Sequence, residues 1–245
     1  MTSNCGCMIC ARPRYSVTFF DPKIAKPLLT YGLLVVLAQI ADYLYAPTDL
    51  LLIRHLIDLR TIAVYAPAIQ IDAGVLLLVS GLATALLPLS AAAFGRGDLA
   101  QVRRYYIKGT LISLALLTTV SLLAWLAAPL IFKLWLGDKM NPTRRILPLV
   151  LIHTVLGGSA AVGRSVLLAI GRVRAFTAAT LLAGLLNVAV SYALVKYAHL
   201  GLPGIIYGTI IAVTARAALW QPWYTLRCLR IPKKVLAMND TSLQP

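Results

Sequence analysis

Residues 42–98 read DYLYAPTDLLLIRHLIDLRTIAVYAPAIQIDAGVLLLVSGLATALLPLSAAAFGRGD, and their reading decides the fold. Leu, Ile, Val and Ala dominate, yet Asp42, Asp49, Asp58 and Asp72 fall within or between the apolar runs. An ionisable group at bilayer depth costs about 2.5 to 3.5 kcal/mol on insertion scales, so such groups persist where they face protein or a wet cavity. Any one Asp is equally well explained as a helix cap or as the partner of a neighbouring Ser, Thr or Tyr. The cluster favours function.

Outward from this stretch the same composition continues. The 245-residue chain is 60% hydrophobic and 13% charged, which excludes a soluble globule. A membrane-crossing helix needs about 20 mostly apolar residues. Six segments reach that length, at about 28–57, 61–94, 106–136, 146–170, 175–197 and 204–226. The expected fold is therefore all-α membrane, a polytopic six-helix transmembrane bundle over residues 28–226, with residues 1–27 and 227–245 as cytoplasmic tails. The first segment exceeds what a ~30 Å hydrocarbon core requires, and Pro47 supplies a reason to bend. Asp42 and Asp49, seven apart, would share one face of that helix with Tyr45 between them and Gln39 beside them. The second segment carries Pro67, Gln70, Asp72 and Pro88. If the two helices cross in opposite directions, Asp42 and Asp72 meet at mid-membrane depth in one cavity.

The net charge of +15 does not indicate nucleic acid, because most basic residues punctuate the apolar runs. Their placement reads as topology. Fourteen Lys and Arg fall on the side of the two tails and of the loops after the second and fourth helices, against seven on the other side. The bias places both termini in the cytoplasm. Trp135, Trp220 and Trp223 read as interfacial anchors, Trp125 sits deeper, and the C-terminal Lys233 and Lys234 read as positive-inside charge or anionic-lipid contact. Gly157, Gly158 and Gly184 read as close-packing positions.

The sequence contains no Glu, so its eight Asp are the only carboxylate side chains available for proton or cation chemistry. His55, His153 and His199 lie on separate elements, and no paired acidic motif sits on a cytoplasmic loop. Metal-assisted phosphoryl or glycosyl transfer therefore has no visible machinery, and the chain reads as a non-enzyme without cofactor. Cys5, Cys7 and Cys10 match no zinc-ligand spacing and read as reduced thiols in a tail. The N-terminus also lacks the order of a signal peptide, which is a basic start, then an apolar core and a small-residue cleavage site. Arg164 and Arg216 fall inside apolar segments. Each either snorkels to the headgroups or faces a cavity and holds an anion such as a phosphate, for which a guanidinium fork is suited.

The runs DLLLIRHLIDLRTIAVYAPAIQIDAG and ALLPLSAAAFGRGDLAQVRRY, from Asp49 onward, resemble the start of the second half of polysaccharide-biosynthesis flippases. These belong to the multidrug/oligosaccharidyl-lipid/polysaccharide exporter superfamily, with the MATE drug antiporters and the lipid II flippase. The family pattern falls on Asp49, Tyr65, Pro88, Ser90, Gly97 and Asp98, continues at Gly171 and Arg172 in LLAIGRVRAF, and ends on Asn187, Gly201, Gly204 and Gly208. Arg54 and Asp58 depart from it, occupying turn positions where the family usually has small residues.

The resemblance implies one six-helix half of a twelve-helix, MATE-like transporter whose substrate path lies between two bundles. The second bundle would be another copy of the chain or a separately encoded N-terminal half, or else the chain is a truncated product. The implied activity is flipping of a polyprenyl-pyrophosphate-linked oligosaccharide across the bacterial inner membrane for cell-surface polysaccharide such as O-antigen or lipopolysaccharide. Arg164 and Arg216 would hold the anionic headgroup. Asp42, Asp49 and Asp72 would serve cation or proton coupling or sugar hydroxyls, with Tyr65, Gln70 and Asn187 completing the substrate- or ion-binding set. The alternatives are a MATE-like drug/cation antiporter, which needs more carboxylates and aromatics, and a non-transporting remnant.

Overall fold

The computed structural model describes residues 22–43, 45–137 and 141–230. Nine α-helices and one π-helical stretch account for nearly all of these residues, and no strand occurs among them. In order they are α1 (Pro22–Tyr43), α2 (Tyr45–Leu56), α3 (Leu59–Gly95), α4 (Leu99–Leu136), α5 (Asn141–Ser159), α6 (Ala161–Ala169), α7 (Val173–Lys196), α8 (Leu202–Val213), the π segment Thr214–Trp220, and α9 (Gln221–Cys228). By length and composition, five stretches can cross a membrane: Leu59–Gly95, Leu99–Trp135, Pro142–Ala169, Val173–Lys196 and Gly201–Cys228. They correspond to five of the six segments expected from sequence. The first expected segment, about 28–57, lies partly outside the described residues; within it α1, α2 and the apolar run Leu28–Leu37 are described.

The expected bend at Pro47 and the expected common face of Asp42 and Asp49 rest on the side chains of Pro47 and Asp42, which lie outside the described residues.

Two hydrophobic clusters mark the two ends of the bundle. One packs Ile53, Phe132, Ile146, Val195 and Leu202, residues flanking the turns after α2, α4 and α7. The other joins Leu99, Val102, Tyr106, Ile170 and Leu229, from the turns after α3 and α6 and the end of α9. The loops that carry the larger share of basic residues therefore gather at one end.

Turn chemistry explains several of the quoted motifs. After α3, the Gly97 N–H bonds to the Phe94 carbonyl at 2.9 Å and the Asp98 N–H to that of Ala93 at 3.0 Å, with Gly97 at φ +78°. After α6, the Gly171 and Arg172 N–H groups bond to Leu168 at 3.1 Å and Leu167 at 2.8 Å, with Gly171 at φ +74°. Both are Schellman turns, which satisfy the last carbonyls of a helix and favour glycine at the left-handed position. Asp98 then caps α4, accepting from the Gln101 N–H at 2.8 Å. Asp58, where the family usually has a small residue, adopts extended backbone at φ −164°, ψ 152°, a conformation open to any residue.

Helix α2 is the element that positions the site. It contacts α3, α7 and α8, while α3 also packs on α4, α5 and α6, and α7 packs on α8. Gly208 makes the α7–α8 contact possible: a β-carbon there would meet the Ser191 Oγ and lie 2.8 Å from the Ser191 backbone nitrogen. Gly158 is similarly pressed against Leu117 and Leu76, whereas Gly184 has open space around it and does not mediate close packing.

Candidate functional site

Helix α2 brings Asp49 to the junction of α3, α7 and α8, where the side chain is only 2% exposed. Its Oδ1 accepts from Asn187 Nδ2 at 3.0 Å. Its Oδ2 accepts from the Tyr65 hydroxyl at 3.1 Å and from Thr209 Oγ1 at 2.8 Å. Asn187 Oδ1 in turn accepts from Ser191 Oγ at 3.1 Å, one turn along α7. A buried carboxyl is expensive unless its oxygens are satisfied, and here three helices deliver the donors.

Asp72, two turns beyond Tyr65 on α3, is 9% exposed and accepts a short hydrogen bond from the Thr154 hydroxyl of α5. Asp49, Tyr65, Asp72, His153, Thr154 and Thr209 line one cavity of about 630 Å³, whose wall also includes Arg164, Arg216 and Gln221. The α3 contribution repeats at helical spacing through Tyr65, Ile69, Asp72, Leu76 and Val79, so one stripe of that helix faces the space.

The arginines reach the cavity through two irregularities. The segment predicted at 146–170 breaks at Ala160, between α5 and α6, and Arg164 follows the break. Gln221 bridges it, donating from Nε2 to the Ala160 carbonyl at 2.6 Å and filling the space above Gly163. Arg216 lies in the π segment, where the wider turn rotates side chains off the regular helical register; such insertions often occur at functional positions. Its Nη1 donates to Thr180 Oγ1 at 3.1 Å, and its guanidinium carbon lies 5.8 Å from the Phe176 ring centre.

Of the eight residues singled out in the sequence, Asp49, Tyr65, Asp72, Arg164 and Arg216 line this cavity, and Asn187 is tied to it through Asp49. Gln70 is exposed and is not part of the cavity wall. The side chain of Asp42 lies outside the described residues, as do Cys5, Cys7 and Cys10. Sequence reading missed Thr209, Thr154, Ser191 and Gln221, and it treated His153 as scattered although it lines the same wall as both carboxyls. Ser191 had a signal: it lies four residues after Asn187, the spacing of neighbours on a helix. Among the described residues no group of three or more His, Cys, Asp or Glu is arranged to hold a metal.

Comparisons with known proteins agree with this architecture. The MatE family model matches residues 35–193. A curated relative, the uncharacterized membrane protein EpsK of Bacillus subtilis (strain 168), is 27% identical over 220 residues, covering 87% of this chain and 42% of that protein. A solved outward-facing multidrug resistance MATE family transporter of the MOP superfamily superposes with a TM-score of 0.76 at 21% identity, over 89% of this chain and 50% of that one. A solved inward-facing transporter of the same description gives 0.70 at 20% identity, over 85% and 49%. The chain thus spans about half the length of the proteins it matches. From its apolar helices, its fold and the matched pattern, the chain is a multi-pass membrane protein that belongs to the MatE family of transporters.

Proposed function

We propose that the chain is a flippase component, moving a polyprenyl-pyrophosphate-linked oligosaccharide across the bacterial inner membrane with both its termini in the cytoplasm. The observation that carries this reading is the presence of two arginines, Arg164 and Arg216, in the wall of one cavity, each within a stretch long and apolar enough to cross a membrane. Guanidinium groups there suit an anionic pyrophosphate and oppose an organic cation. The two carboxyls offer a cation little, because Asp49 already accepts three hydrogen bonds and Asp72 accepts one from Thr154. In this reading Asp49, Tyr65, Asn187 and Thr209 form a scaffold that joins α2 to α3, α7 and α8, so that the face carrying the arginines moves as one body. Asp72 and His153 remain available to sugar hydroxyls.

Because the chain spans about half of its solved neighbours, the reading includes a second bundle, either another copy or a separately encoded half, with the path between them. A drug/cation antiporter is the second reading, favoured by the two carboxyls lining one wall. Complementation of a flippase-deficient strain separates them. Wild-type chain with its partner bundle restores surface polysaccharide, and Arg164→Gln with Arg216→Gln abolishes it. Restored resistance to organic cations without surface polysaccharide would favour the antiporter.

A further inference from the structure

A second cavity, of about 810 Å³, opens between α7 and the π segment with α9. Three arginines line it: Arg172 at the start of α7, Arg216, and Arg227 in the last turn of α9. Beside them Trp220 stacks on Tyr224, ring centres 4.9 Å apart, and the Arg227 guanidinium lies 5.3 Å from the Trp223 ring centre. Among the described residues, no acidic side chain contributes to its wall.

Below the arginines the wall changes character. Helix α7 presents Ala175, Ala178, Ala179, Leu182 and Leu186 in one stripe, with Leu182 67% and Leu186 38% exposed. At about 1.5 Å per residue, the stripe from Ala175 to Leu186 is roughly 16 Å long, matching half of a ~30 Å hydrocarbon core. The small alanines leave room beside the helix. Arg172 and Arg227 belong to the end of the bundle where the basic loops gather, the depth at which lipid headgroups lie. A cationic mouth over an apolar slot one leaflet deep has the shape and charge of a single phospholipid.

We propose that this groove binds an anionic phospholipid, with its phosphate between Arg172 and Arg227 and one acyl chain along the α7 stripe. Pockets that join basic side chains to interhelical apolar surface are suited to such headgroups. The site is distinct from the cargo cavity, and the inference does not rest on what that cavity carries. Arg216 lines both, so an occupied groove fixes one wall of the other.

Trp220 and Trp223 make the groove its own reporter. In full-length protein carrying Trp125→Phe and Trp135→Phe, the only remaining tryptophans line it. Reconstituted into phosphatidylcholine vesicles, this protein is quenched by a minor fraction of acyl-brominated phosphatidylglycerol or, in parallel, brominated phosphatidylcholine. The anionic probe is expected to be enriched at the tryptophans by about five-fold for each arginine. Arg172→Gln with Arg227→Gln brings the two probes to parity, the corresponding Lys pair keeps most of the preference, and Arg230→Gln leaves it unchanged. Equal quenching of the parent protein by both probes would overturn the proposal. So would a preference that survives the Gln pair in protein of unchanged circular dichroism, or one that excess inorganic phosphate removes.

Discussion

Tyr65 and Thr209 both donate to a single oxygen, Asp49 Oδ2, and removing them together should cost more than the sum of their separate losses. Tyr65→Phe and Thr209→Val each delete a hydroxyl and little volume. The Thr209 hydroxyl has one hydrogen, and among its near acceptors Asp49 at 2.8 Å is closer than Asn187 Oδ1 at 3.2 Å or the Ile205 carbonyl at 3.3 Å. Interhelical hydrogen bonds in membranes average about 0.6 kcal/mol, with about 1.7 as the largest, whereas soluble bonds to charged groups reach roughly 1.5 to 3. About 1 kcal/mol is therefore expected for each single substitution. Either alone leaves Oδ2 with one donor. The double variant leaves a fully buried oxygen with none, adding about 1 to 3 kcal/mol of unmet desolvation. A double-mutant cycle on reversible unfolding in mixed micelles should thus show a coupling of about 1 kcal/mol or more, with the double variant worse than additive. Additivity within about 0.3 kcal/mol would refute a shared acceptor and the scaffold role built on it.

Gly208→Ala forces a β-carbon against the Ser191 backbone, which cannot rotate away, and should lower stability by about 1 to 3 kcal/mol on thermal unfolding in detergent. Gly184→Ala, with open space around it, should be neutral or slightly stabilising in the same assay. Gly171→Ala, at φ +74°, should cost about 1 to 2 kcal/mol by forcing a side chain into left-handed backbone. Asp98→Ala should cost about 1 kcal/mol through loss of the α4 cap, and Asp98→Asn should recover most of it.

The membrane class and five of the spans were legible because a bilayer imposes a length and an apolar content that composition alone reveals. The charge bias was legible too, and its loops do collect at one end of the bundle. Asp49, Tyr65 and Asn187 were marked by the motif order, but their mutual bonding was not, since they lie on α2, α3 and α7 and meet only through packing. Thr209 and Thr154 carried no signal, because a threonine in an apolar helix more often bonds its own carbonyl four residues back, which lies within reach of both hydroxyls here. Gln70 shows the converse. It is polar at membrane depth, yet it sits off the stripe of Tyr65, Ile69 and Asp72 that faces the cavity, and a list of polar residues without helical phase could not separate them. The Ala160 break and the π stretch around Arg216 were equally hidden, since no proline or glycine marks either position itself.

The most direct test of the arginine-lined path is transfer of a fluorescent polyprenyl-pyrophosphate oligosaccharide across proteoliposomes bearing the two-bundle assembly, read by loss of protection from an external quencher. Wild-type protein is expected to move it, and Arg164→Gln with Arg216→Gln to slow it at least about ten-fold, the effect of 1.4 kcal/mol. A wild-type assembly that exchanges organic cations but leaves the pyrophosphate lipid in place, or a double variant that flips it at the wild-type rate, would contradict the account.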